Sequence, residues 1–227
     1  MERIIAKTKI DVNKNLFLKD PISSDIGCSI VKEGAKLIDE LGLENFTFKK
    51  LSQKIDVSEA AIYRYFDNKH MLLLYLTGWY WAWLEINFVY ATANLASADA
   101  KLDVGLDLMV NGPIFKKNEF LDPVCLYKII INESFKVYYT KSVDEEHKKG
   151  FFTDVYKFGD RISEVISEIS PSYQFPVTLA FTVVESSILQ AFNVQHLPEM
   201  TDNVLNVQKR KEFFRQLIIN TVHNGHQ

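Results

Sequence analysis

The stretch with the clearest chemical content is VSEAAIYRYFDNKH, residues 57–70. Ser58 is placed to cap a short helix, and Glu59 lies in its first turn, where a carboxylate favours the helix dipole. Ile62 and Phe66 are one turn apart and predict a buried face, which leaves small, aromatic and cationic side chains pointing outward. A helix with a slim, polar start can enter the major groove of DNA. The stretch therefore predicts nucleic-acid recognition.

The residues around this helix support the same chemistry. Lys69 begins the next helix, where a cation opposes the dipole by on the order of 0.3 to 1 kcal/mol. A phosphate bound by the free backbone N–H groups and the ammonium would reconcile the two charges. Upstream, Thr47 caps FKKLSQKI, and Asp56 and Val57 form a tight turn before Ser58. The pattern is a helix, a three-residue turn and a helix.

Composition bounds the class of protein. With 227 residues and 47% hydrophobic content, the chain fits one large or two small domains. Its net charge of -3 excludes a global positive field, so a DNA site must be local; residues 1–70 hold 12 Lys/Arg against 11 Asp/Glu. Cys28 and Cys125 indicate neither a disulfide framework nor a zinc site. The N-terminus lacks the apolar core of a signal peptide, and we expect a cytoplasmic protein.

The periodicity of apolar residues predicts an all-α chain. Ile30, Val31, Ala35, Ile38 and Leu41 form a first amphipathic helix that ends at Gly42. Longer helical segments follow from about residue 68, with prolines between several of them. The apolar run at residues 71–84 is too short to span a bilayer and predicts a buried helix, so no membrane partner is expected.

Residues 46–76, FTFKKLSQKIDVSEAAIYRYFDNKHMLLLYL, resemble the DNA-binding domain of the TetR family of transcriptional regulators. The resemblance implies a three-helix helix-turn-helix domain at residues 28–72, after an extension at residues 1–27, and a helical ligand-binding and dimerisation domain at residues 73–227. Taken singly, the aromatic residues are typical of a core and the lysines of a solvated surface. Taken together at this spacing they carry the resemblance, which implies DNA contacts at Thr47, Lys49, Lys50, Ser58, Glu59, Ala60, Ala61, Tyr63, Arg64, Tyr65 and Lys69.

Two features depart from the family pattern. Asp56 stands where the family usually has Gly, and Asp tolerates a left-handed conformation less easily. The 27-residue extension is long and carries five Lys/Arg, but Glu2, Asp11, Asp20 and Asp25 dilute that charge. The extension either packs on the domain, stays disordered or lies in a minor groove; the sequence favours packing or disorder.

A ligand pocket and a dimer seam are expected in the C-terminal part. Aromatic stripes with nearby polar groups are typical either of a plain core or of a small-molecule pocket. The second alternative predicts a ligand site at Trp83, Asn87, Tyr90, Tyr127, Ser134, Tyr138 and Glu185, whereas Glu133 and Arg161 orient a ligand or form salt bridges. Small and apolar stripes on the last two helices, together with the resemblance, predict a homodimer through Ala180, Val184, Ser187, Ala191, Phe214, Leu217 and Ile218.

These features predict a ligand-responsive DNA-binding regulator, a repressor released from a palindromic operator by a small apolar or amphipathic molecule. No cofactor or metal is expected, because the five histidines are scattered and catalytic motifs are missing. A helical enzyme and an adaptor that uses its aromatic surface for protein contacts are the alternatives, which salt-dependent DNA binding would separate. The sequence leaves the inducer, the operator and activation versus repression open.

Overall fold

Helices form all the regular secondary structure among residues 6–202 and 206–224, which the computed structural model describes. The predicted all-α fold is confirmed. Three single-turn 3-10 helices lie at Lys14–Leu16, Pro21–Ser23 and Pro198–Met200. The α-helices are α1 Asp25–Asn45, α2 Phe48–Lys54, α3 Glu59–Tyr63, α4 Lys69–Thr92, α5 Ala98–Asn111, α6 Pro123–Glu133, α7 Phe135–Tyr138, α8 Val143–Lys148, α9 Thr153–Ile169, α10 Pro176–His196 and α11 Val207–Asn224.

Side-chain caps set where the first four helices begin. Ser24 accepts a hydrogen bond from the Gly27 N–H, 3.2 Å away. Thr47 and Ser58 do the same for α2 and α3, each at 3.2 Å, as predicted from the sequence. Asn68 accepts from the Met71 N–H at 3.0 Å and caps α4. Each cap satisfies a backbone donor that the helix leaves without an internal partner.

The first helix extends beyond its predicted end. Gly42 leaves the helical conformation, with φ 71° and ψ 155°, but helical residues resume and α1 closes at Asn45. Leu43 is buried and Phe46 is fully buried. Burial of these two apolar side chains favours the continued turn, which the glycine signal alone did not predict.

One compact unit consists of residues 1–83 and 115–155. Within it α1 packs along α6, and the aromatic side chains of α4 fill the core. Trp79 and Trp83 are fully buried and stack at 5.6 Å between ring centroids. The boundary predicted at residue 72 falls inside this unit, because α6 and its flanking segments pack with the helix-turn-helix helices.

The described part of the N-terminal extension packs within the same unit. Leu16 is fully buried, and the Leu18 N–H donates to the Tyr65 carbonyl at 2.8 Å. The Asn13 amide donates to the carbonyls of Lys149 and Gly150, both at 2.8 Å. These contacts agree with the packing alternative for residues 6–24, whereas residues 1–5 lie outside the described residues.

The second compact unit consists of residues 84–114 and 156–227. Ion pairs join α11 to α5: Arg215 lies 3.0 Å from Asp99 and 3.1 Å from Asp103, and Lys211 lies 2.8 Å from Asp107. Helices α10 and α11 pack against each other and against α5. The unit is therefore a helical layer held by apolar packing inside and by ion pairs at its edge.

Among the described helices, Pro176–His196 alone is long and apolar enough to cross a membrane, judged by length and composition. Core helices of soluble proteins share this property. One side of the helix, including Ala180, Val184, Ser187 and Ala191, is buried inside the second unit. This burial accounts for part of the apolar composition, since 44% of the most apolar stretch is buried.

We expect Leu16→Ala to lower the free energy of unfolding by about 2 to 5 kcal/mol, because it opens a cavity under the extension. Leu18→Ala is the control: Leu18 is exposed, and its truncation should change stability by less than about 0.5 kcal/mol. Urea denaturation of both variants measures the difference. Equal stability of the two would show that the extension does not pack as described.

Candidate nucleic-acid interface

In the helix-turn-helix, the start of α3 is exposed to solvent and carries small and polar side chains. Phe48, Leu51, Ile62 and Phe66 are buried between α2, α3 and the start of α4, so the register of α3 is fixed by its apolar face. The other side of α3 is outward, as predicted. Ser58, Glu59, Ala60, Tyr63 and Arg64 are exposed and Ala61 is half-buried.

The turn before α3 uses a strained residue. Asp56 has φ 52°, and it is the one non-glycine residue with positive φ in the described part of the chain. The Val57 N–H donates to the Ser52 carbonyl at 3.0 Å and closes the turn. An L-residue in this region costs roughly 1 to 2 kcal/mol, less for Asp, whose short side chain tolerates it. Asp56 therefore adopts the conformation for which the family uses Gly.

Tyr63 combines a fixed ring with an accessible edge. Its ring packs edge-on against Phe48, with centroids 5.0 Å apart and an angle of 71°. The residue is nevertheless 50% exposed. A phenol held in this way presents its hydroxyl with little loss of side-chain entropy on binding, which suits a phosphate contact.

Three cations on this surface have no side-chain partner among the described residues: Lys49, Lys54 and Arg64. Lys50 differs, because its ammonium donates to the Asn45 carbonyl at 2.8 Å. Residues 47–69 hold five Lys/Arg against three Asp/Glu. This local positive excess is what an overall acidic protein needs at a DNA surface.

The structure gives Lys69 a different use from the predicted phosphate contact. Its ammonium donates to the carbonyls of Leu43, Glu44 and Phe46 at 2.7, 3.1 and 3.2 Å. These carbonyls lie at the C-terminal end of α1, where a cation also complements the helix dipole. The three carbonyl oxygens therefore stabilise the Lys69 ammonium, although it lies at the positive end of the α4 dipole. No phosphate is required for this.

Tyr65 is also used internally. It is 4% exposed, and its hydroxyl lies 2.6 Å from the Ser24 hydroxyl, so the predicted phosphate contact is not supported. Lys19 was missed by the sequence reasoning. Its ammonium lies over the Tyr65 ring, 5.1 Å from the centroid, and adds a cation beside α3 that only tertiary contact could identify.

The predicted ligand residues in the first unit are packed as core. Trp83 donates its indole N–H to the Phe115 carbonyl at 3.0 Å, and Tyr127 stacks on Tyr80 at 6.1 Å. Tyr138 accepts from the Trp81 indole at 2.9 Å. Ser134 is buried at the junction of α6 and α7. These contacts favour the core alternative for the aromatic stripe.

The remaining predicted ligand residues lie in the second unit. Asn87 is fully buried, Tyr90 is 44% exposed, and Glu185 is exposed on α10. Tyr90 therefore does not share the buried environment of Trp83. None of the three surface cavities found among the described residues is lined by a predicted ligand residue.

Two further candidates form ion pairs. Arg161 donates twice to one oxygen of Glu85, at 3.0 and 3.1 Å, as the salt-bridge alternative required. Glu133 is buried, and its Oε1 accepts from the Leu43 N–H at 3.1 Å. Its Oε2 lies 2.8 Å from the Lys136 ammonium. Burial acts to lower the pKa of the Lys136 ammonium. The carboxylates of Glu133 and Glu44 together have the larger, opposite effect, so the pKa of Lys136 is raised.

The predicted dimer seam needs correction. Ala180, Val184, Ser187 and Ala191 are buried inside the single chain, as are Phe214 and Ile218, and Leu217 is half-buried. Small side chains allow close helix packing, but they do not specify whether the neighbour is another helix of the same chain or a second copy. Here α10 and α11 use these faces on their own unit.

Residues 30–76 match the family described as bacterial regulatory proteins, tetR family. This match covers most of α1, all of α2 and α3 and the start of α4, and it confirms the predicted resemblance to the TetR family. Regulators of this family are not enzymes, in agreement with the prediction. In the described residues no group of three or more His, Cys, Asp or Glu side chains is placed to hold a metal ion. No curated protein sequence matches the chain.

Solved structures extend the likeness to most of the chain. AibR, in a complex with isovaleryl coenzyme A and operator DNA, is 16% identical with a TM-score of 0.54, over 83% of this chain and 95% of AibR. The TetR family regulator PfmR from Thermus thermophilus is 14% identical with a TM-score of 0.55, over 86% of this chain and 97% of PfmR.

A protein described as superantigen PfiT is 11% identical with a TM-score of 0.56, over 89% of this chain and 97% of PfiT. At these identities the likeness shows the fold, and the role of PfiT shows that the fold hosts more than one function.

Replacing Lys69 tests its structural use. We expect Lys69→Ala to lower the free energy of unfolding by about 1 to 2 kcal/mol, because charge-assisted hydrogen bonds to the end of α1 are lost. Lys49→Ala, which removes an exposed lysine from the same surface, should change it by less than about 0.5 kcal/mol. Thermal unfolding without DNA measures both, and an unchanged Lys69→Ala melting curve would contradict the capping role.

Proposed function

We propose that this chain is a ligand-responsive transcriptional regulator that binds a DNA operator as a homodimer in the cytoplasm. The observation that carries the proposal is the exposed, capped start of α3, inside the segment that matches the TetR family. A buried face fixes this helix, and its outward face has small residues at the end that must approach the bases. We further propose that the protein is a repressor.

The DNA contacts divide into base readout and phosphate binding. The start of α3, from Ser58 to Ala61, enters the major groove, where Glu59 accepts a hydrogen bond from a cytosine amino group. Thr47, Lys49, Tyr63 and Arg64 bind the flanking phosphates. Lys50 and Lys69, which already donate to carbonyls, contribute positive potential rather than direct contacts.

A homodimer places two such heads on a palindromic operator. We place its interface on the faces of α10 and α11 that the chain leaves open. These faces carry Leu189, 37% exposed, and Phe213, 49% exposed, and Leu217 on α11 is half-buried. Two adjacent helices with exposed apolar residues form a four-helix interface when a second copy packs on them.

The response to a ligand is an allosteric change in the spacing of the two heads. The AibR complex contains both a small molecule and operator DNA, and the shared fold supports the same pair of partners here. We propose a small apolar or amphipathic effector, because small-molecule sites are lined mainly by apolar side chains with a few polar groups. Binding releases the repressor from its operator.

We expect Lys49→Ala and Arg64→Ala each to reduce the salt dependence of DNA binding, because each removes one phosphate contact. The slope of log Kd against log salt should fall by roughly one unit for each half-site. Fluorescence anisotropy with a duplex selected from a random pool measures the slopes. Lys141→Ala, an exposed lysine outside the interface, is the control and should keep the full slope.

Unchanged slopes in both variants would remove these residues from the interface. No selected duplex and no binding at low salt would instead favour the adaptor alternative, for which the likeness to PfiT is the supporting observation.

We expect Leu189→Arg and Phe213→Arg to give folded monomers that bind a palindromic duplex weakly. Each substitution places a charge on an apolar face without an opposite charge across the two-fold axis. Light scattering measures the mass, and circular dichroism checks that the helices persist. Phe135→Arg, an equally exposed aromatic position on α7, should remain a dimer; dimers for all three variants would move the interface elsewhere.

A further inference from the structure

A cleft of about 780 Å³ lies between α1 and α6 in the first compact unit. Its walls come from α1, from Ala6 of the N-terminal extension, from the connecting segment at residues 116–122 and from the first turn of α6. We name it the α1–α6 cleft. Its volume is within the range of small-molecule sites. All of its walls belong to one unit, so its geometry is defined by that unit alone.

The floor of the α1–α6 cleft is apolar. Ala35, Leu121 and Pro123 are buried beneath it, Phe120 is half-buried, and Val124 is 39% exposed towards the open space. An exposed valine beside a half-buried phenylalanine is apolar surface that a ligand would remove from water. The floor therefore favours an alkyl chain over a polar ligand.

The rim of the cleft is cationic, because four lysines line it: Lys32, Lys36, Lys116 and Lys117. Two of these are engaged: Lys36 lies 2.6 Å from Glu33, and Lys32 donates to the Glu119 carbonyl at 3.2 Å. Lys116 and Lys117 are exposed, with no side-chain partner among the described residues. They leave positive charge available at one edge of the floor.

The acidic residues of the cleft do not cancel this charge. Asp122 accepts from the Val124 N–H at 2.9 Å and caps α6. Glu119 lies 3.9 Å from the Lys7 ammonium. Four lysines against these two carboxylates leave a positive excess among the lining residues. The combination of apolar floor and unpaired ammonium groups is complementary to an anionic amphiphile.

Cys125 completes the wall without adding reactivity. Burial, aided by Asp39 and Asp122, raises the pKa of its thiol to about 12. The thiol stays protonated at neutral pH and acts as apolar surface.

We propose that the α1–α6 cleft binds a medium-chain fatty acid as its carboxylate, with the chain on Ala35, Leu121 and Val124 and the head group on Lys116 and Lys117. This site is separate from the aromatic residues that the sequence predicted for the ligand. It places the effector directly against the first helix of the helix-turn-helix.

Occupancy of the cleft would be transmitted to the DNA-binding segment through two contacts of α6. The helix packs along α1, and at its far end Glu133 accepts the Leu43 N–H at 3.1 Å. An alkyl chain inserted at the first turn of α6 shifts this helix against α1. The shift moves the Glu133 carboxylate that accepts the Leu43 N–H. That regulatory consequence rests on the proposed function, whereas binding itself does not.

Isothermal titration calorimetry with octanoate, decanoate and dodecanoate, below their micelle concentrations, tests the site. Affinity should rise roughly fourfold for each added CH2 group. The double variant Lys116→Ala/Lys117→Ala should weaken decanoate binding about tenfold or more, because charge-assisted contacts are lost. The matched double variant Lys141→Ala/Lys148→Ala removes two exposed lysines of the same unit and should bind within about twofold of the parent.

Decan-1-ol has the alkyl chain of decanoate without its negative charge, and it therefore tests the apolar contribution alone. Its affinity should be equal in both double variants. Val124→Glu places a carboxylate on the exposed floor and should abolish decanoate binding while the melting temperature is retained. No decanoate binding to the parent protein, equal losses in both double variants or no dependence on chain length would overturn the site.

DNA binding is measured in the same samples by anisotropy. Decanoate that binds and releases DNA supports both the site and its regulatory consequence. Decanoate that binds without changing DNA affinity supports the site and overturns the consequence. If the protein binds DNA but does not bind decanoate, the site is overturned and the proposed function stays intact.

Discussion

At the C-terminal end of α1 the backbone requires partners from elsewhere in the chain, because helix ends leave carbonyl groups without internal donors. Lys69 donates to three of these carbonyls, and the buried Glu133 accepts the N–H of Leu43 just after the Gly42 kink. This junction joins the start of α4 and the end of α6 to the same turn. The placement of the helix-turn-helix relative to α6 depends on it.

Contacts within the first unit also decide which polar side chains near α3 remain available. Lys69 and Tyr65 are consumed by contacts within the unit, whereas Lys49 and Arg64 remain exposed. Both pairs look alike in the sequence, since all four residues are polar or amphipathic side chains beside a short helix. The available groups are those that a nucleic acid can engage without breaking a protein contact. Lys49 lies on α2, and Arg64 lies at the C-terminal end of α3.

Regulation by a ligand would use the same mechanical connection. A helix packed along α1 and anchored at its end transmits a displacement because packed interfaces deform little and shift as units. The α1–α6 cleft opens at the other end of that helix. The fold alone does not specify this use, since regulators and a protein described as a superantigen share it at 11 to 16% identity.

The helix-turn-helix was predictable from the sequence: local caps at Thr47 and Ser58, the turn at Asp56 and the apolar face of α3 are encoded within a few residues of one another. Local signals suffice there because capping and helix periodicity act over one or two turns. Which side chains stay free depends on tertiary contacts. Lys69, Tyr65 and the small residues of α10 meet partners distant in sequence, and a side chain's type does not reveal whether such a partner exists.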